Sequence, residues 1–140
     1  MTPLPSFTAH VVAGAGRGKR IGVPTMNLDL ADIPREMEEG IYACWVRYDL
    51  RATSDEETKP HEARSPTLAA VLHYGPRPVF KDVPACEVHV LDVAPTDVPK
   101  TLTVTLVSYI RAIRDFPSVE ALKEEIARDI AATRAILGIS

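Results

Sequence analysis

Helical periodicity occurs once in this chain, and it comes last. After Ser118, non-polar and Thr side chains fall at Val119, Leu122, Ile126, Ile130, Thr133 and Leu137, steps of three and four that trace one helical face. Ser118 is an N-cap residue type with Glu120 in the first turn, and Gly138 is placed to end the helix. This predicts a helix over about 118–137, with Lys123, Glu124, Arg128 and Arg134 on or near its solvent side. Everything upstream reads with period two or as turns. Strand-like runs cover Phe7 to Val12, Met26 to Leu30, Gly40 to Leu50, Thr67 to Tyr74, Ala85 to Val93 and Thr101 to Ile110. The segment Ala31 to Glu39 reads as a loop, and Gly75-Pro76-Arg77-Pro78 as a sharp break. Strands and helices do not alternate, which argues against a doubly wound parallel sheet. The order fits a mainly β fold: a small closed antiparallel barrel of about six strands with one C-terminal helix packed on it.

The 140 residues, 46% hydrophobic and 25% charged, fit one globular domain spanning 1–140. Arg51 to Pro66 is polar and nearly free of large apolar residues, and reads as a long hairpin loop or insertion. No apolar run is long enough to span a bilayer, and no basic n-region precedes an apolar h-region. The net charge of −3 argues against a general nucleic-acid binder. Cys44 and Cys86 each sit in an apolar strand-like run and read as small buried hydrophobes. A disulfide would require two strands to bring them together, and neither belongs to a C-x-x-C pair of the kind that holds zinc. A cytoplasmic, monomeric protein with no membrane partner is the expectation.

Residues Gly14 to Asn27, G-A-G-R-G-K-R-I-G-V-P-T-M-N, carry four glycines, three basic side chains, a Pro-Thr pair and an Asn. Exposed backbone N–H groups beside positive charge suit phosphate. The run is not a P-loop, because Lys19 is followed by Arg20. It does not open a helix either, so the dinucleotide fingerprint fails on context. A tight hairpin also uses glycines, and the glycines alone do not choose. Thr25 and Asn27 are two apart, so in an extended segment their oxygens share a face. They then either offer hard donors to a cation such as Mg²⁺ or bond the local backbone. Glu87, in A-C-E-V-H-V-L-D, is a lone carboxylate in a strand of apolar character. It either faces solvent or acts as a base; His89 shares its face.

The order G-x-G-R-G-x-x-x-G-x-P-T-x-N, G-I-Y-A, G-x-R-P-x-F, E-V-H-V-L-D and a terminal helix resembles the riboflavin kinase (flavokinase) family from about Thr8 to Leu137. The resemblance implies a six-stranded Greek-key barrel and Mg²⁺-dependent transfer of phosphate from ATP to the 5′-hydroxyl of riboflavin, giving FMN. It also implies site residues. Gly14, Gly16, Arg17, Gly18, Lys19, Gly22, Pro24 and Thr25 would bind the nucleotide. Thr25 and Asn27 would ligate the metal, Glu87 would be the general base, and Arg111 would lie at the flavin. The chain departs from the family pattern in places. His73-Tyr74-Gly75-Pro76-Arg77-Pro78-Val79-Phe80 stands where N-I-G-x-R-P-T-F is common, and Asp97-Val98-Pro99-Lys100 replaces D-[LF]-Y-G. Met26 takes the place of Ala, and Ala112-Ile113-Arg114 lacks an acid. These departures motivate an alternative, a non-catalytic flavin-binding or regulatory module on the same barrel. No adenylyltransferase domain is encoded in these residues, so FAD synthesis is not expected.

Overall fold

The computed structural model describes residues 4–12, 25–48, 67–75, 85–92, 99–113 and 116–139. Six strands, β1 (Ser6–Val12), β2 (Met26–Leu28), β3 (Gly40–Tyr48), β4 (Leu68–Gly75), β5 (Ala85–Val90) and β6 (Thr101–Arg111), precede one α-helix, α1 (Val119–Leu137). All neighbours pair antiparallel, and the order β1-β2-β5-β4-β3-β6 closes into a barrel. Three of these neighbour pairs, β2–β5, β3–β6 and the closing β1–β6, are not consecutive in the chain, as in a Greek-key path. The expected fold is therefore the observed one.

Alternation sorts the two faces of the barrel. Ala9, Met26, Leu28, Tyr42, Cys44, Val46, Ala70, Leu72, Cys86, Val88, Val90, Leu102, Val104 and Leu106 point inward and form one buried cluster. With period two, the odd-numbered residues of β4 and β5 are turned outward. Two register shifts interrupt the β3–β6 ladder, so that Cys44 pairs with Leu106, Ala43 with Ser108, Tyr42 with Tyr109 and Ile41 with Arg111. Each shift adds one residue on β6. The first brings Tyr109 into the inward register of Tyr42, and the second returns Arg111 to the outward one. The two tyrosine rings meet edge to face at 5.3 Å. Tyr109 also covers Gly40, where an added Cβ would lie 2.5 Å from the ring. Gly40 is thus required by close approach.

The short β2 ends sooner than its sequence pattern suggests. Asp29 Oδ1 accepts the Ala31 N–H at 3.0 Å and starts a 3-10 turn at Leu30–Asp32, an Asx device that competes with the sheet ladder. The stretch expected as a plain loop then contributes Ile33 and Met37 to the core. Cys44 and Cys86 are buried free thiols, as expected. Burial pushes both upward, Cys86 to about 12 and Cys44 further.

The helix has the expected caps: Ser118 Oγ accepts the Ala121 N–H at 3.1 Å, and Gly138 adopts φ 74°. Its buried residues are Leu122, Glu125, Asp129 and Thr133. Ile126 and Ile130, expected at the centre of the apolar face, are only half-buried. The face is turned toward two carboxylates because of Arg111 at the end of β6. Arg111 Nε and Nη2 donate to the two oxygens of Asp129 at 2.9 and 2.8 Å, and Nε also lies 3.2 Å from Glu125 Oε2. Arg128 caps the cluster through Glu125 Oε1 at 2.7 Å. Further along, Arg134 makes a two-point contact with Asp92, at 2.9 and 2.6 Å. Asp92 follows β5 with φ 65°.

Candidate active site

Antiparallel register, rather than chain proximity, assembles the candidate residues. Val12 of β1 pairs with Asn27 of β2, and Asn27 pairs with Glu87 of β5. Glu87 in turn pairs with His73 of β4, His73 with Ile41 of β3, and Ile41 with Arg111 of β6. One residue from each strand thus forms a continuous row across the outside of the barrel. Directly opposed residues of an antiparallel pair hold their Cβ atoms about 4.5–5.5 Å apart, so Asn27 and His73 flank Glu87 as close neighbours. The inward residues on either side, Met26, Leu28, Cys86, Val88 and Leu72, are all buried. That core rigidly fixes the backbone beneath the row.

The expected residues divide as follows. Asn27 and Glu87 are brought together, and both are half-buried. Thr25, half-buried, is the residue before β2 and two positions from Asn27. Gly14, Gly16, Arg17, Gly18, Lys19, Gly22 and Pro24 lie outside the described residues, as do the segment 51–66 and Val79. The chain leaves the described part at Val12 and re-enters at Thr25, so the segment holding those glycines is attached at the Asn27 end of the row. Arg111 stands at the opposite end. Its guanidinium is engaged by Asp129 and Glu125, while Nη1 donates to the Ala112 carbonyl at 3.1 Å and the group stacks 5.7 Å from the Phe116 ring. His89 lies on the Glu87 face opposite Val71, one pair further along the β4–β5 ladder. Of the Pro99-Lys100 departure, Pro99 is buried and the Lys100 carbonyl accepts the Val11 N–H at 2.8 Å.

Three features escaped sequence reasoning. Asp129 and Glu125 are spaced i, i+4 between Leu122 and Thr133, so acids in line with core positions were the available signal. His73 is the one polar side chain among the outward-turned Ala69, Val71, His73 and Gly75 of β4. An open cleft of about 340 Å³, lined by Leu4, Pro5, Glu36, Met37, Glu38, Tyr42 and Tyr109, depends on the β6 shifts and had no local signature. Within it, the Tyr42 hydroxyl donates to the Glu38 carbonyl at 2.6 Å, and burial pushes its pKa up to about 12.

A family model described as flavokinase, riboflavin kinase, matches residues 3–137. The riboflavin kinase of Mus musculus is 31% identical over 137 residues, covering 93% of this chain and 79% of its own length. That of Emericella nidulans is 30% identical, with 96% of this chain and 78% of the relative covered. The riboflavin kinase of Eremothecium gossypii is 29% identical, with 96% and 85% covered. Among solved structures, the riboflavin kinase of Trypanosoma brucei superposes with a TM-score of 0.58 at 18% identity, over 95% of this chain and 79% of that one. A Streptococcus pneumoniae structure described as a macrolide-efflux protein superposes with a TM-score of 0.71 at 25% identity. It covers 95% of this chain, which spans 39% of that one.

Proposed function

The chain belongs to the riboflavin kinase family, and from that premise we propose that it transfers the γ-phosphate of ATP to the 5′-hydroxyl of riboflavin, giving FMN and ADP. The observation that carries this reading is the pairing of Asn27 with Glu87 on adjacent strands. It sets a neutral oxygen donor beside a carboxylate, at the end of the row where the glycine-rich segment is attached.

The roles follow from that row. The segment holding Gly14, Gly16, Arg17, Gly18, Lys19 and Gly22 covers the nucleotide phosphates with backbone N–H groups and positive charge, and Pro24 and Thr25 end it. Mg²⁺ takes oxygen ligands and keeps waters and phosphate oxygens in its shell. The Thr25 hydroxyl and the Asn27 amide oxygen are donors of that kind. Thr25 and Asn27 would hold the ion, which would neutralise charge on the phosphates. Glu87 accepts the proton of the 5′-hydroxyl as that oxygen bonds to the γ-phosphorus, while the bond to the bridging oxygen of ADP breaks. Phosphoryl transfer asks mainly for alignment and charge compensation, so this short list of groups suffices.

Strands lie about 4.8 Å apart, so Arg111 is three spacings, roughly 14 Å, from Glu87 along the barrel surface. A substrate with its hydroxyl at Glu87 extends its ring system toward that end. There Arg111 contacts Ala112 and Phe116 and holds the helix through Asp129. Incubating the protein with riboflavin, ATP and Mg²⁺ and separating the flavins by chromatography tests the reading. FMN is the expected product. Flavin binding, read by fluorescence quenching, with no FMN formed would leave the non-catalytic module instead.

A further inference from the structure

Glu87 has two cross-strand neighbours, and only Asn27 has a role so far. The other is His73, which the β4–β5 register sets directly opposite Glu87 on the same outward face. Its companions on that face of β4 are Ala69, Val71 and Gly75, none of which has a polar side chain. His73 is half-buried and its Nδ1 is shielded from solvent, so the ring is seated in the surface. A ring so held has little rotational freedom, and the register sets it beside Glu87. Position 73 also departs from the N-I-G pattern described above, with His in place of Asn. The two residue types differ in shape and in titration, and share a side-chain N–H donor.

We propose that His73 is a positioning residue for Glu87: a ring N–H donates to the carboxylate and holds it turned toward the substrate hydroxyl. The inference rests on the reading of Glu87 as the base. Proton transfer to a base requires hydrogen-bond reach, and a displacement of about 1 Å costs about 100-fold in rate. A carboxylate on two rotatable side-chain bonds beyond Cβ does not keep such an orientation unaided. Asn27, on the other side, is assigned to the metal in the reading above, and His73 is the second residue that the register sets directly against Glu87. Positioning of this kind acts on turnover and leaves both substrates' binding contacts in place.

The experiment compares His73→Leu and His73→Ala, which remove the donor, with His73→Asn and His73→Gln, which keep an N–H without the imidazole. Two donor-free variants are made so that failure of one to fold does not decide the outcome. The expected result is a fall in kcat of about 10- to 100-fold for the donor-free variants, with KM for riboflavin and for ATP within about twofold of the parent. At least one amide variant should recover most of that loss. In a Glu87→Gln background, removing His73 should cost less than about threefold more, because the two act as a unit. Parent-like kcat in the donor-free variants overturns the inference, and so do amide variants that fall as far as Leu. If Glu87→Gln abolishes turnover while His73→Leu keeps it, only the role of His73 is lost. If Glu87→Gln itself turns over normally, the base assignment falls and this inference falls with it.

Discussion

Replacing Asp129 by Asn should unfold the protein more easily, by an amount the Arg111 cluster defines. The Asp129 side chain is 5% exposed and the Arg111 side chain 16%, so the pair sits largely out of water. Two charge-assisted hydrogen bonds, at 2.9 and 2.8 Å, join them. Removing one partner of a buried pair costs about 3–5 kcal/mol, because the remaining charge is left uncompensated. Glu125, 3.2 Å from Arg111 Nε, offsets part of this, while an amide N–H in place of one carboxylate oxygen opposes a guanidinium donor. A loss of about 3 kcal/mol follows, near the low end of the range. The assay is equilibrium unfolding in urea, followed through the fluorescence of Trp45, the chain's one tryptophan. With an m-value of about 1.5 kcal/mol/M, the midpoint should fall by about 2 M without a change in slope. The triple replacement Arg111→Met, Glu125→Leu and Asp129→Leu should recover much of the loss, since an apolar cluster of similar volume carries no desolvation cost. A midpoint shift below about 0.3 M for Asp129→Asn would refute the reasoning, because it would mean the helix is not held through this pair.

Three further outcomes are expected. Thr25→Ala should raise the Mg²⁺ concentration needed for half-maximal turnover, and an unchanged metal requirement would remove Thr25 from the metal shell. Gly40→Ala should destabilise the protein by about 1–3 kcal/mol, as overpacking does; its Cβ would meet the Tyr109 ring at 2.5 Å, and a melting temperature equal to the parent's would contradict that contact. Cys44 and Cys86, buried and with thiols pushed upward, should resist a disulfide-exchange reagent at pH 8 until denaturant is added; rapid labelling of the native protein would argue against a closed barrel interior.

Much of the candidate site was legible in the sequence, for a physical reason. Phosphate and metal chemistry select residue types within a short span, so Thr25 and Asn27 stand out beside their glycine-rich run. Glu87 stands out as an acid among apolar strand residues. His73 did not, because a single histidine in an apolar run means nothing until its opposite number is known. Asp129 and Glu125 were hidden in a helix whose apolar positions suggested a different buried face. A charged residue on a core-facing line becomes tolerable only when a partner such as Arg111 meets it. The family resemblance implies a flavin-side place for Arg111, and its contacts show it holding the helix.

The local grammar of this chain determined its parts. Period-two runs specified strands and the inward residues of each, the Ser118 and Gly138 caps bounded the helix, and the absence of β-α alternation left the barrel as the way to bury the strands' apolar faces. These are short-range properties, written within a few residues of where they act. What only the tertiary structure decided is which residues stand opposite one another. Register is a long-range agreement between strands, set by inward packing and by the two shifts on β6. A slip of one residue would have sent Glu87 into the core and Cys86 to the surface. The row from Asn27 through Glu87 and His73 to Arg111 exists because the buried cluster fixes that register.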